Sequence, residues 1–202
     1  MSTSLVYRSA RGYELLMRAL YGRHYESRMS LVAEQVPPGA SVLELCCGPG
    51  TLYLRHLRER TSAYIGLDVN ERFVAGLRAQ GVDARRLDLA SSAEPLPSVD
   101  VAIVQASLYH FLPDATRILE RMLAAARERV IVSEPVRNLS ASSLPGVALL
   151  SRRVADPGVG CHAARFTEAT LAKLMDRYRE RSIASFAIPG GREQVYVLAA
   201  GA

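Results

Sequence analysis

Three carboxylates follow three consecutive apolar runs of the chain. Glu44 lies near the end of "SVLEL", Asp68 follows "AYIGL", and Asp88 follows "VDARRL". In an open parallel sheet, ligands bind beyond the carboxyl ends of the strands. Because all three acids would reach the same edge of such a sheet, the sequence predicts a ligand site there.

A glycine-rich turn, "CCGPG", directly follows the first of these runs. Gly48 and Gly50 permit left-handed backbone and a close approach of the main chain to a ligand. The helix predicted after the turn would present unpaired N–H groups, which attract an anionic group. Two ligands fit this combination of acids and glycines: a dinucleotide, or S-adenosylmethionine (SAM), with its carboxylate and adenosine.

The dinucleotide interpretation requires a third glycine. Its fingerprint is GxGxxG, in which the last glycine lets the helix pack closely on the strand. This chain has Tyr53 at that position. Asp88 also has no role in dinucleotide binding, so the pattern favours SAM.

The elements that must position these residues alternate along the chain. Strands are predicted at 41–45, 63–67, 82–87, 99–105 and 129–134, with helical periodicity between them. This alternation is typical of an α/β fold with a mostly parallel sheet and helices on both faces. Asn70 and Asp114 are predicted helix caps.

The two ends of the chain depart from this alternation. Residues 1–36 predict two helices, and the C-terminal region predicts a helix followed by two strands. Those strands are joined by a Pro-Gly-Gly turn at 189–191, which is short enough to make them antiparallel. The last strand is therefore expected to run against the others.

Composition favours one domain over 1–202, with a helical N-terminal cap (1–36) and an α/β core (37–202). The chain has 202 residues, 49% hydrophobic and 22% charged. It has no apolar run of about 20 residues and no signal-peptide pattern, which predicts a cytoplasmic protein without a membrane span.

Charge and cysteine content limit the partners. The net charge is +5, but the arginines are spread along the chain and mixed with acids. This pattern favours a solvated surface and argues against a nucleic-acid partner. The three cysteines show no zinc-ligand spacing, so reduced thiols and no metal are expected.

Taken in order, these motifs resemble the class I SAM-dependent methyltransferases. The resemblance is carried by "VLELCCGPG", Asp68, "LDL" at 87–89, "VDVAIVQASLYHFLPD" at 99–114 and "VIVSEP" at 130–135. It covers residues 40–135 and the C-terminal hairpin. It implies a Rossmann-like, three-layer α/β/α fold with a seven-stranded, mostly parallel sheet and an antiparallel last strand. It also implies a SAM-dependent enzyme whose product is S-adenosylhomocysteine (SAH).

The resemblance implies a role for each part of the site. The glycine turn would hold the methionine part of SAM, Asp68 the ribose hydroxyls, and Asp88 the adenine amine with Leu89 beside the ring. The residues predicted to bind the cofactor are Glu44, Cys46, Cys47, Gly48, Gly50, Asp68, Val69, Asp88, Leu89, Gln105 and Ala106.

Cys46 departs from the family, which usually has glycine at this position. We interpret Cys46 as a tolerated small residue and Cys47 as a buried apolar one. A redox or nucleophilic role for the pair is the alternative.

Candidates for catalysis follow the fourth predicted strand. His110 could remove a proton from the acceptor, as could Tyr109, or both could be structural. Glu134, Tyr21, His24 and Tyr25 are predicted to contact the acceptor, and packing is the alternative for each.

The residues after the fourth predicted strand limit the class of the methyl acceptor. Enzymes that methylate exocyclic base amines have Asn/Asp-Pro-Pro-aromatic after strand 4, whereas this chain has "QASL". We therefore expect a small-molecule acceptor, aromatic or lipid-like, methylated on O, N or C. The alternatives are an RNA or protein methyltransferase and a non-catalytic SAM-binding protein; the oligomeric state stays open.

Overall fold

The structure is a computed structural model that describes residues 10–137 and 164–201. Its strands are β1 (Ser41–Leu45), β2 (Ala63–Asp68), β3 (Ala84–Arg86), β4 (Val99–Gln105), β5 (Ala126–Pro135), β6 (Ser182–Ala187) and β7 (Glu193–Ala199). Its α-helices are α1 (Ala10–Tyr21), α2 (Tyr25–Glu34), α3 (Glu71–Arg78), α4 (Ala115–Ala125) and α5 (Glu168–Met175).

All seven strands form one sheet in the order β3-β2-β1-β4-β5-β7-β6. Strand β7 pairs antiparallel with both of its neighbours, and the remaining strand pairs are parallel. The predicted fold class, with its antiparallel last strand, is confirmed. The chain order reverses between β1 and β4, and in such sheets this reversal opens a crevice at the carboxyl ends of the two strands.

Apolar residues alternate between the two faces of the sheet and build two cores. Leu43 packs on one face with Ile118 of α4, while its neighbour Val42 packs on the other with Val32 of α2 and Leu77 of α3. All five are at most 1% exposed. Helices therefore cover both faces of the central strands, which gives the three-layer arrangement.

Two predicted elements differ from the structure. Strand β3 spans three residues, not the six of 82–87, because only these residues pair with β2 at the sheet edge. The segment after the glycine turn is a π-helical turn, Tyr53–Leu57, in which the Arg58 N–H donates to the Tyr53 carbonyl at 2.9 Å. Helical backbone already begins at residue 51, so the whole segment after the glycine turn, 51–57, is seven residues long.

The helix caps also differ from each other. The Asn70 side chain accepts a hydrogen bond from the Arg72 N–H at 3.0 Å, which confirms it as the cap of α3. Asp114 occupies the N-cap position of α4, but its side chain makes no capping bond.

Helix α2 of the N-terminal cap is fixed to the sheet by a buried ion pair. The Arg28 Nε and Nη2 groups donate to the two carboxylate oxygens of Glu193, at 2.8 and 3.3 Å. The Ser133 hydroxyl donates to the same carboxylate at 2.6 Å. Since α2 and β7 are 165 positions apart in sequence, this pair ties the two ends of the chain together beside β4 and β5.

Candidate active site

The glycine turn adopts the conformation its residues permit. Gly48 and Gly50 have φ values of 56° and 72°, in the left-handed region. A Cβ on Gly50 would also lie 2.5 Å from the Leu77 Cδ2 atom, so any side chain here would have to displace Leu77. It would also strain the left-handed backbone, and glycine is therefore the residue that suits this turn.

Asp68 braces this turn from the end of β2. Its Oδ2 accepts the Gly48 N–H at 2.7 Å and its Oδ1 accepts the Asn70 N–H at 2.8 Å. Burial raises the pKa of Asp68, and these N–H groups oppose the rise. The next residue, Val69, is 41% exposed and presents an apolar surface at the same edge.

Glu44 lies beneath the turn as a buried carboxyl group. Its Oε2 accepts a hydrogen bond from the Tyr64 hydroxyl at 2.6 Å. Burial, with a smaller effect of the Asp68 charge, raises the pKa of Glu44 to about 7 against the opposing Tyr64 bond. Tyr53, at the position where a dinucleotide fold needs glycine, stacks on Tyr64 with ring centroids 3.9 Å apart.

The two cysteines have different surroundings. Cys46 is partly buried and has a left-handed backbone with φ of 53°. Burial raises its pKa well above the usual range, and the nearby carboxylates act in the same direction. The thiol is therefore protonated near neutral pH, which disfavours a nucleophilic role.

Cys47 is a core residue, as predicted. Its side chain is buried and lies where a Cβ on Gly66 would approach the Cys47 Sγ to 2.9 Å. Its thiol also contacts the Gly48 carbonyl oxygen at 3.7 Å.

The segment after β4 forms the opposite wall of the crevice. Ala106 has φ of 52°, and its N–H donates to the Ser133 carbonyl at 2.7 Å. The Gln105 Nε2 group donates to the Arg28 carbonyl at 3.0 Å and to Glu193 at 3.3 Å. Gln105 therefore connects the end of β4 with the cap.

Glu134 holds the next turn from below. Its Oε1 accepts the N–H groups of Ser107 and Leu108, both at 2.6 Å. The side chain is fully buried, and its Oε2 has no hydrogen-bond partner among the described residues. Burial raises the pKa of Glu134 to about 8, although the two N–H bonds oppose the rise.

Tyr109 and His110 lie on the short 3₁₀ helix Leu108–Phe111 that Glu134 anchors. Their ring centroids are 4.1 Å apart, and the Arg165 guanidinium lies 3.6 Å above the Tyr109 ring. Burial raises the pKa of Tyr109, so its phenol stays protonated near neutral pH. Arg165 lies far along the chain and was not predicted as part of the site.

A cavity of about 50 Å³ joins the cap to the two strand ends. The predicted site residues that line it are Glu44, Cys46, Cys47, Gly48, Gln105, Ala106 and Tyr25. Tyr13, Arg28 and Thr51 also line it and were not predicted. Arg28 is buried on the same face of α2 as Met29 and Val32, and an arginine at this helical spacing is the signal that could have pointed to it.

A separate open groove of about 480 Å³ runs along the loop after β3. Asp88 lines this groove and accepts the Ala90 N–H at 3.0 Å and the Ser91 hydroxyl at 2.9 Å. Leu89 is 3% exposed and packs in the core. Its carbonyl accepts bonds from Arg117 and Arg121, which hold the loop in place.

The remaining predicted acceptor contacts lie on the cap. The Tyr21 ring packs on the Arg28 guanidinium at 4.3 Å, and Tyr25 is 3% exposed. His24 packs instead against Gly190 in the turn between β6 and β7.

A comparison with protein-family models agrees with the fold and with the position of the crevice. Residues 42–129 match the family model described as a methyltransferase domain. Residues 42–129 are therefore part of a methyltransferase domain, and the sheet that contains them has the fold of the class I, SAM-dependent methyltransferases. No curated protein sequence matches the chain.

Solved methyltransferases share the fold at low sequence identity. One match is a chain of the Haloferax volcanii complex between the Trm112 methyltransferase activator and a methyltransferase, with 14% identity, a TM-score of 0.70 and full coverage of both chains. A SAM-dependent methyltransferase of Thermotoga maritima matches with 16% identity, a TM-score of 0.66 and coverage of 96% and 97%. The magnesium protoporphyrin IX methyltransferase of Synechocystis, solved with SAH, matches with 16% identity, a TM-score of 0.62 and 96% coverage of each chain.

Two further features bear on the class of site. Within 10–137 and 164–201, no group of three or more His, Cys, Asp or Glu side chains is arranged to hold a metal ion. No helix in those ranges is long and apolar enough to span a membrane.

Proposed function

We propose that this methyltransferase transfers the methyl group of SAM to an O, N or C atom of a small aromatic or lipid-like acceptor. The observation that carries the proposal is the aromatic lining of the crevice. Tyr13 of α1 and Tyr25 of α2 line the cavity under the cap, and Tyr109 lies on the 3₁₀ helix that follows β4. Aromatic faces from two sides of a crevice suit a planar or apolar acceptor.

The donor would lie across the two strand ends. The turn at Gly48 and Gly50 would hold its methionine part, with Gln105 and Ala106 on the other side. Asp68 and Val69 would contact the ribose, and Asp88 the adenine amine in the open groove. The fit is supported by the groove beside Asp88 and by left-handed backbone on both walls of the crevice.

SAM, when bound, supplies a methyl group that is already activated by its sulfonium. The acceptor atom forms a bond to the methyl carbon while the carbon–sulfur bond breaks, and the sulfur keeps the electron pair. The protein's part is to align the acceptor and exclude water. If the acceptor is a hydroxyl or an ammonium group, its proton must leave, and we propose His110 as the group that accepts it.

Three of the structural neighbours support a ring-containing acceptor. They are a magnesium protoporphyrin IX methyltransferase, a mitomycin 7-O-methyltransferase and an O-methyltransferase family 2 protein solved in complex with apigenin. All three names describe ring compounds. Identities of 14–16% carry the fold only, so these names support the class of acceptor to be screened and no individual compound.

The experiment has a donor stage and an acceptor stage. We expect micromolar binding of SAM and SAH, and none of NAD, in titration calorimetry. A screen of aromatic and lipid acceptors with methyl-labelled SAM should then give a labelled product. Failure of both adenosyl ligands to bind, with none released from denatured protein, would overturn the donor assignment.

His110 can be separated from donor binding in the same assay. His110→Ala should lower kcat by about 100-fold or more with a hydroxyl or amine acceptor and leave SAH affinity unchanged. His56→Ala is the matched control, since His56 lies on the π-helical turn beside Glu26 and is not among the described residues that line the cavity. Equal kcat values for His110→Ala and wild type would exclude His110 as the base.

A partner protein is the second proposal to test. The Haloferax volcanii structure is a complex with the Trm112 activator, and its matching chain aligns with this protein over the full length of both. If the isolated methyltransferase binds SAH but methylates no small molecule, addition of a Trm112-type protein and an RNA or protein acceptor is the next assay. Activity only in that assay would replace the small-molecule proposal.

A further inference from the structure

The loop between β3 and β4, residues 87–98, forms most of the open groove. It contains turns but no helix or strand. Residues 86–88 and 91–94 line the groove. Because the loop lacks the main-chain hydrogen bonds of a regular element, it keeps one conformation only where other contacts fix it.

Two arginines of α4 provide such contacts. Arg121 donates from Nη1 to the Leu89 carbonyl at 3.2 Å and from Nη2 to the Glu94 carbonyl at 2.8 Å. Arg117 donates from Nη2 to the Leu89 and Ala90 carbonyls, at 3.3 and 2.9 Å. The two guanidinium groups therefore hold the groove-forming segment at both of its ends.

This arrangement brings two positive charges together. Arg117 and Arg121 are four residues apart on α4, so their side chains leave the same face of the helix. Burial and the neighbouring Arg117 both lower the pKa of Arg121. The loop carbonyls offset this repulsion, because each carries a partial negative charge and accepts a charge-assisted hydrogen bond.

One peptide group connects the arginines with the carboxylate of Asp88. The Leu89 carbonyl accepts from both arginines, and the N–H of the same peptide group, which belongs to Ala90, donates to the Asp88 Oδ1 at 3.0 Å. A peptide group is planar and rigid. When the arginines hold its carbonyl, they also fix the direction of the N–H that orients Asp88.

We propose that Arg117 and Arg121 are positioning residues that set the preference of the donor site for adenine. They hold the Leu89–Ala90 peptide group, and through it the Asp88 carboxylate, where that carboxylate accepts the adenine amine. The proposal rests on the proposed donor site, in which Asp88 faces this amine. It adds two residues that act through Asp88 and do not contact the donor.

The test compares two ligands that differ in the base: SAH, and S-inosylhomocysteine, in which an oxo group replaces the adenine amine. A hydrogen bond from the amine to a carboxylate predicts that the wild type binds SAH about tenfold or more tightly in titration calorimetry. Arg121→Gln should lower this ratio by about threefold or more, through weaker binding of SAH. A general loss of stability would weaken both ligands together and leave the ratio unchanged.

A second substitution separates the shape of the arginine from its charge. Arg121→Lys keeps the positive charge, but a single ammonium group cannot reproduce the planar fork that joins the Leu89 and Glu94 carbonyls. We expect it to lower the ratio as Arg121→Gln does. A wild-type ratio in Arg121→Lys would make the charge the cause and would overturn the proposal.

Two further variants control for folding and for the loss of an arginine. Arg117→Gln replaces a side chain that is 40% exposed, so it tests the same contact at small risk to the fold, and it should lower the ratio by about twofold. Arg129→Gln is the matched control. Arg129 also donates to a main-chain carbonyl, that of Gln35 at 2.9 Å, and it is not among the described residues that line the groove. It should keep the wild-type ratio.

The outcomes separate this proposal from the donor site. If the wild type binds neither ligand, the donor assignment fails and this proposal fails with it. If the wild type binds both ligands equally, donor binding stands, but the adenine assignment of Asp88 and the role of the arginines are both overturned. If the wild type prefers SAH and both arginine-to-glutamine variants on α4 keep that preference, only the role of the arginines is overturned.

Discussion

Cys46 and Ala106 follow neighbouring strands, β1 and β4, and both have left-handed backbones with φ of 53° and 52°. They are the non-glycine residues with positive φ among the described residues. A left-handed conformation costs an L-residue roughly 1–2 kcal/mol. Such strain persists where the surroundings enforce it, which is often at functional sites. Here the Asp68–Gly48 bond enforces one turn and the Glu134 bonds the other.

The first prediction tests this strain at Cys46. Cys46→Gly should be more stable than Cys46→Ala by about 1 kcal/mol, because only glycine removes the Cβ clash of the left-handed region. Urea unfolding of both variants measures the difference. Ala75→Gly, in the exposed face of α3, is the control and should lose about 1 kcal/mol relative to wild type. Greater stability of Cys46→Ala would show that this turn carries no strain.

The second prediction concerns pH and Glu44. Burial raises the pKa of Glu44 in the folded protein to about 7, from its usual value of about 4.5. The folded protein therefore binds a proton that the unfolded chain has lost between these values. The protonated Glu44 side chain therefore contributes its full stabilisation below about pH 4.5, and this stabilisation is lost as the pH rises through 7.

Glu44→Gln removes this titration and keeps an acceptor for the Tyr64 hydroxyl. The difference in unfolding free energy between wild type and variant should shift by up to about 3 kcal/mol from pH 4.5 to pH 8, in favour of the variant at high pH. Urea unfolding across that range measures it. A difference that does not change with pH would mean that Glu44 has an ordinary pKa.

The third prediction concerns access to the cavity. Small-molecule sites have volumes of about 300–1,000 Å³, whereas the cavity under the cap measures about 50 Å³. Helix α1 contributes Tyr13 to its wall and must move for the methionine part of a donor to enter. An ion-pair network fixes α1: Glu14 and Arg18 on α1 pair with Arg55 and Glu26.

Arg55→Gln should loosen α1 with little effect on global stability. Exposed ion pairs contribute about 0–1 kcal/mol each, so the unfolding free energy should fall by no more than about 1 kcal/mol. Hydrogen exchange of residues 10–21 should accelerate several-fold, and the association rate of SAH should rise. Arg85→Gln, which removes an exposed pair with Asp83, is the control and should change neither. If the hydrogen-exchange rate of α1 did not change, the ion-pair network would not be what holds α1 in place.

Much of the fold followed from local apolar runs. Strands β1 and β4 have the predicted bounds. Both lie at the centre of the sheet, where a strand that is buried on both faces appears in the sequence as a continuous apolar run. Strand β3 is shorter than predicted because it lies at the edge of the sheet, and only the three residues that pair with its single neighbour, β2, form the strand. Of the residues predicted for the site, Glu44, Gly48 and Gln105 line the cavity under the cap, and Asp88 lines the separate groove after β3.

The parts of the site that could not be predicted depend on distant contacts. The left-handed backbone of Cys46 lies in a turn that Asp68 braces from another strand, and a cysteine residue gives no sign of such a conformation in the sequence. Arg28 is part of the cavity only because Glu193 lies across from it, 165 positions along the chain. Tyr53, in the π-helical turn, stacks on Tyr64 of β2, which is another contact that the local sequence does not reveal.

The last prediction separates bracing from binding at two acids of the proposed donor site. Asp68→Asn can accept only one of the two N–H bonds that hold the turn, since its amide nitrogen is a donor. It should lose about 1–3 kcal/mol of unfolding free energy together with SAH affinity. Asp88→Asn, in the exposed groove, should change stability by less than about 0.5 kcal/mol. Its SAH affinity should nevertheless fall, because the carboxylate proposed to face the adenine amine is lost. Calorimetric titration and urea unfolding of both variants distinguish the roles: equal stability losses would mean that both acids are structural, and unchanged SAH affinity in Asp88→Asn would exclude the groove as the adenine site.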